Sequence, residues 1–230
     1  MAEKSSSWEY TPPSVGTIEV DGKVYNASPR GPGNVHFLKN EDYGEGFRQG
    51  TFGEQFNLVH SAYLNQKKNG ARGIVNVVKN HWASGDTALL GRKDDILVMN
   101  NLEIIDGRIH MDPGKLEDLL SQSTELYEGV KISSCGNIGR ISRKIIKKGY
   151  NKSPTEIKDS LHPYVAFLTL DSGSPPKIDK ILEITEKPAY IWVPSDGVVG
   201  VPGLGEGDGR LDLGGWGEFD DCRYSFGVRK

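Results

Sequence analysis

The sequence predicts an α+β fold, a mostly antiparallel or mixed sheet flanked by helices with a β- and loop-rich C-terminal extension. Three observations predict it. Asp21-Gly22 and Asp106-Gly107 each interrupt alternating residues, the strongest short signal for a hairpin. Residues 51–67 carry the apolar spacing of a long helix. And 29 glycines with 12 prolines in 230 residues point to many turns and short elements, which argues against a helical bundle.

Along the chain, residues 1–16 read as an N-terminal arm and 17–230 as a single globular domain. A hairpin, Thr17 to Val20 and Lys23 to Asn26, comes first, then loops over 28–34 and 40–50. Thr51 to Lys67 follows as a helix: Phe52, Phe56, Val59 and Tyr63 share one face, Thr51 with Glu54 makes a capping box, and Gly70 stops it. Strands are expected at Ile74 to Val78 and Asp95 to Met99, and a second hairpin at Leu102 to Met111. Asp112-Pro113 opens a helix with Leu116, Leu119, Leu120, Leu126 and Tyr127 as its apolar positions. After a strand at Val130 to Ser133, Ile138 to Lys148 reads as a helix with Ile138, Ile141 and Ile145 buried. A short helix to Leu161, strands at Tyr164 to Leu170 and Ala189 to Val193, a glycine-rich loop over 195–217 and a last strand at Arg223 to Val228 complete the order.

Composition narrows the function classes. Hydrophobic content of 36% with 26% charged residues suits a globular chain. The first residues lack the apolar stretch of a secretory leader, and no apolar run reaches the length of a membrane span. Two cysteines, Cys135 and Cys222, cannot build a disulfide framework or a multi-cysteine zinc site. The expected location is the cytoplasm, with no membrane partner.

Charge is unevenly spread. Between Gly129 and Thr155 stand Lys131, Arg140, Arg143, Lys144, Lys147, Lys148 and Lys152, with no acid. Between Gly205 and Asp221 acids dominate. On the expected 138–148 helix, Arg140, Arg143, Lys144, Lys147 and Lys148 lie opposite the isoleucines. Like charges at three- and four-residue spacing repel, and a phosphate backbone relieves that repulsion. Nucleic acid, DNA before RNA, is therefore the expected partner. The alternative partner for this basic face is the chain's own acidic segment.

The order from Thr51 to Ser133, read as helix, three strands, helix, strand, resembles the core of the PD-(D/E)xK nuclease superfamily. That resemblance implies a magnesium-dependent endonuclease. Asp95 and Glu103 would be the metal ligands, Glu54 an accessory acid and Lys93 the base that orients water, because hard oxygen ligands suit magnesium. The sequence departs from the family by placing Ile105 where the family has its lysine. Enzymes of that type often act as homodimers on palindromic sites. The glycines at 207, 209, 214, 215 and 217 with Trp216 resemble the G-x-G-x5-G-aromatic-G loop of the RAMP proteins that process CRISPR RNA. This is a second route to a nucleic-acid partner, as a non-enzymatic binding or assembly protein. A Cys135–His162 thiol dyad is a further candidate.

Overall fold

The computed structural model describes residues 8–11, 16–146 and 154–230, with 36% strand and 29% helix in an α+β arrangement. The first elements are β1 (Trp8–Thr11), β2 (Thr17–Val20), β3 (Lys23–Asn26), β4 (Arg30–Gly33), α1 (Val35–Asn40), β5 (Phe47–Gln49), α2 (Phe52–Leu64) and α3 (Ala71–Asn80). The middle holds β6 (Trp82–Ser84), β7 (Thr87–Gly91), β8 (Asp95–Asn100), β9 (Glu103–Ile105), β10 (Arg108–His110), α4 (Pro113–Leu120), β11 (Thr124–Tyr127), β12 (Val130–Ile132) and β13 (Ile138–Ser142). The last third holds α5 (Pro154–Thr169), α6 (Pro175–Thr185), β14 (Ala189–Trp192), β15 (Val199–Gly207), β16 (Arg210–Trp216), β17 (Arg223–Ser225) and β18 (Gly227–Arg229).

An eleven-stranded sheet runs β11-β12-β13-β8-β7-β15-β6-β17-β4, with β16 bridging β15 and β14. Its pairs are antiparallel except β14 with β16 and β17 with β6. A five-stranded sheet, β1-β2-β3-β18-β5, joins N-terminal strands to the last strand of the chain, and β9 with β10 forms a separate ribbon. Residues 8–11, expected in the arm, thus pair with β2 as an edge strand.

The sheet separates two cores. In β8, Ile96 and Val98 enter the larger core with α2, α3, α5 and α6, while Leu97 enters the smaller one with Leu116 and Leu120 of α4. That alternation is the two-residue period of a strand buried on both faces.

The expected basic helix is not a helix. Residues 138–142 form β13, paired with β12 on one side and β8 on the other. Isoleucines three residues apart share a face on a helix but oppose each other on a strand. Here Ile141 packs in the larger core and Ile138 in the smaller. Gly139 fits this central position because a Cβ there would press within 2.6 Å of Leu170 and 3.1 Å of Val98. Lys147 and Lys148 lie outside the described residues.

Other elements also change type. Ile74 to Val78 belongs to α3, whose buried Ala71, Ile74, Val75 and Val78 keep helical spacing. This second helix removes the first of the three strands on which the nuclease-like order rested. Tyr164 to Thr169 continues α5, and residues 124–127 form β11 instead of extending α4. The glycine-rich segment is mostly a hairpin, β15 and β16, turning at Asp208 and Gly209 with φ of 46° and 76°. Its glycines admit a flat neighbour: a Cβ on Gly205 would lie 3.0 Å from the Trp82 ring.

Candidate functional site

The start of α2 organises a polar cleft of 510 Å³. Thr51 Oγ1 accepts from the Glu54 amide, and Glu54 Oε2 accepts from the Thr51 amide at 2.9 Å, the expected capping box. The same carboxylate also gathers two cations. Arg48 grips it through both terminal nitrogens at 2.8 and 2.9 Å, and Lys23 Nζ donates at 2.9 Å. Burial by itself would raise the pKa of Glu54, but Arg48, Lys23 and the Thr51 amide outweigh it and bring the group down to about 2. Glu54 is therefore ionised and fully engaged. It fixes a guanidinium from β5 and an ammonium from β3 side by side at the positive end of a helix.

The same cleft is lined by amides. Asn100 and Asn101 lie at the end of β8, Asn137 in the β12–β13 turn, and Asn57 on α2 itself. Asn100 Oδ1 accepts from Thr87 Oγ1 at 2.7 Å, and Thr87 Oγ1 in turn accepts from the Phe52 amide at 2.9 Å. That chain orients the Asn100 side chain and leaves its amide nitrogen to donate. The Asn100 amide donates to Asn137 O at 2.9 Å, and the Asn101 amide donates to Asp86 O at 2.8 Å. The Asp86 amide in turn donates to Gly50 O at 2.8 Å, which ties this segment to the residues just before α2.

Asp86 sits behind the cleft, only 6% exposed, with Lys39 Nζ at 2.7 and 2.8 Å from its two oxygens. Burial raises its pKa and the Lys39 ammonium opposes the rise. A second cleft of 570 Å³, lined by Lys39, Asn40, Asn101 and Glu103 among others, shares Asn101 with the first. The loop that carries Asp86 lies against α2 through Gly85, where a Cβ would meet Phe52 N at 2.4 Å and Gly50 O at 2.6 Å. Gly85→Ala is expected to cost about 1–3 kcal/mol, read as a lower urea midpoint at unchanged slope.

The structure separates the expected metal ligands. Asp95 opens β8, and both of its oxygens are bonded to Arg92, at 2.7 and 2.8 Å. Asn100 ends the same strand, about 16 Å away at about 3.3 Å per residue. Glu103 lies beyond it, in the other ribbon and in the cleft with Lys39. Lys93 is exposed in the β7–β8 turn, at the Asp95 end. Glu54 has both oxygens occupied by cations and an amide. Among the described residues no group of three His, Cys, Asp or Glu side chains is placed to hold a metal ion. Asp95 thus stands at the start of β8 and Glu103 past its end, and Glu54 is held by Arg48, Lys23 and the Thr51 amide.

Both arginines of the basic segment are engaged in internal contacts, while Lys131 is exposed. Arg140 pairs with Glu117 of α4 at 3.1 Å, and Arg143 donates to the backbone oxygens of Arg92 and Pro194 at 2.5 and 2.6 Å. Lys144 is exposed. The acids of the C-terminal segment have other partners: Glu206 meets Lys187, Asp212 meets Arg210, Glu218 meets Arg108, and Asp220 faces Arg223. His162 is bonded to Asp179 at 2.9 Å, while Cys135 is 3.2 Å from Ser133 Oγ, so neither makes a dyad with the other.

Sequence reasoning found Glu54 through its cap but missed Arg48, Lys23 and the asparagines. The only local signals were the turn pairs beside them, Asp21-Gly22 and Asn100-Asn101. No helix among the described residues is long and apolar enough to cross a membrane. Comparison with protein-family models, curated proteins and solved structures returned no match to this chain.

Proposed function

We propose that this protein binds nucleic acid, receiving a phosphate and the polar edges of a nucleotide in the cleft at the start of α2. One observation carries the reading: Glu54 holds Arg48 and Lys23 together in a cleft that Asn100, Asn101 and Asn137 also line. A lysine ammonium has three protons and Glu54 takes one, so donors remain for a phosphate. The α2 N-terminus adds favourable potential for an anion. Asparagine amides pair with base edges through one donor and one acceptor each. Because the two clefts meet at Asn101, an extended strand fits the reading better than a single nucleotide. The nucleic acid is bound at the cleft and not along the 138–148 segment.

Fluorescence anisotropy with labelled duplex DNA, single-stranded DNA and RNA, in magnesium or EDTA, tests it. Salt-sensitive binding is expected, weakened about tenfold or more by Arg48→Ala and by Lys23→Ala. Competition by a mononucleotide at comparable concentration would identify the nucleotide itself as the ligand unit. No binding at low salt, or binding indifferent to both substitutions, overturns the proposal. Magnesium-dependent cleavage abolished by Asp95→Ala would replace it with the nuclease reading.

A further inference from the structure

The asparagines of the α2 cleft are not alike. Asn57 lies on α2, and Lys177 Nζ of α6 donates to its Oδ1 at 2.6 Å. An ammonium has only protons to give, so this contact fixes which end of the amide meets it. Asn100 is held in the same sense. Thr87 Oγ1 accepts from the Phe52 amide at 2.9 Å, and its one proton goes to Asn100 Oδ1 at 2.7 Å. Both amides have their oxygens taken. Among the described residues neither amide nitrogen has a partner.

The other acceptors of the cleft are spent or indifferent. Glu54 accepts four bonds, from Lys23, both terminal nitrogens of Arg48 and the Thr51 amide, which fills the about four positions of a carboxylate. Asp171 also lines the cleft, but its oxygens accept from the Gly173 amide at 2.9 Å and the Ser174 hydroxyl at 2.8 Å of its own turn. Asn101 and Asn137 are exposed and make no side-chain bond among the described residues, so they turn to suit either kind of edge. The two side chains that are held, Asn57 and Asn100, both offer protons.

That polarity sorts bases. An asparagine free to turn reads adenine, giving its nitrogen to N7 and taking an N6 proton on its oxygen. With the oxygen engaged, that pairing is closed. Guanine presents N7 and O6, acceptors along the whole edge, whereas thymine has one acceptor there and cytosine a donor. We infer that the cleft selects guanine, with Asn57 and Asn100 reading its N7 and O6 edge and with Lys177 and Thr87 positioning those amides. This selectivity rests on the nucleic-acid reading above, to which it adds the base. An amide nitrogen set against the adenine amino group meets a second donor, and both stay unpaired.

Anisotropy titrations at neutral pH and low salt test this, with labelled thymine strands that carry one central guanine, adenine or 7-deazaguanine. The guanine strand is expected to bind about tenfold more tightly than the adenine strand. The 7-deazaguanine strand, which keeps O6 and lacks the N7 acceptor, should fall between them. Lys177→Met frees the Asn57 amide to turn, so the guanine-to-adenine ratio should drop towards one, whatever the lost charge does to all strands alike. If that variant does not fold, the ranking on the wild-type protein decides. Equal binding of the guanine and adenine strands, or tighter binding of adenine, overturns the selectivity and leaves the nucleic-acid reading in place. A ratio unmoved by Lys177→Met overturns the orientation on which the selectivity rests. Failure of all three strands to bind removes the nucleic-acid reading itself, and the selectivity with it.

Discussion

Arg223→Ala is expected to cost about 3–5 kcal/mol of folding stability, the largest single effect foreseen outside the cleft. Arg223 has no exposed surface. It lies on β17, between β6 and β4, and its guanidinium donates to Ser84 Oγ at 2.8 Å, Val201 O at 3.3 Å and Gly217 O at 3.4 Å. Asp220 Oδ2 stands 3.7 Å away. Burial lowers its pKa to about 10, which still leaves it charged at neutral pH. Alanine would open a cavity and leave a buried hydroxyl and carbonyls without their donor. Lysine keeps the charge but not the planar fork, so Arg223→Lys should recover only part of the loss. Urea unfolding measures both. A loss below about 1 kcal/mol for the alanine variant would contradict the role of Arg223 as the tie between β17, β6 and β15.

Glu54→Gln is the second large effect, and it depends on pH. The folded-state pKa of Glu54 lies at about 2, below the ordinary 4.5. A depressed carboxylate stabilises the fold above its unfolded-state pKa. That stability fades as pH falls from about 4.5 towards about 2, where the folded state also takes up the proton. At pH 7 the contribution is about 3 kcal/mol. Glutamine removes the charge and leaves Arg48 and Lys23 facing each other across a neutral amide. Unfolding curves of wild type and variant should therefore differ by about 3 kcal/mol at pH 7 and converge near pH 2. A gap that stays constant over this range would show that the effect is packing, not the ion cluster.

These two residues also mark what was legible in the sequence. Glu54 was visible because its cap is local: Thr51 and Glu54 are three residues apart and bond each other's amides. Its second role depends on Lys23, which lies 31 residues away, and on the strand pairing that brings β3 and β5 towards α2 through β18. No local pattern encodes that approach. Arg223 likewise looked like one residue of an ordinary final strand.

The misread elements share a cause. Ile138 to Ser142 is buried on both faces, so its isoleucines fit a helical stripe as well as a strand between two cores. Ile74 to Val78 is rich in β-branched residues, yet the buried set from Ala71 to Val78 has helical spacing, and packing in the larger core prevailed over propensity. Tyr164 to Leu168 is a continuous apolar run, which periodicity alone cannot assign. The Asp-Gly hairpins needed no such arbitration. Their left-handed turn residues, Asp21 at φ 50° and Asp106 at φ 50°, are set by the turn itself.

The most direct test of the cleft is a nuclear magnetic resonance titration of isotopically labelled protein with adenosine monophosphate and with a short oligonucleotide. Saturable shifts of the Asn100, Asn101 and Asn137 side-chain amides and of the Arg48 guanidinium are the predicted result. Shifts confined to residues 129–146, or no saturable shift with either probe, would contradict ligand binding at the start of α2.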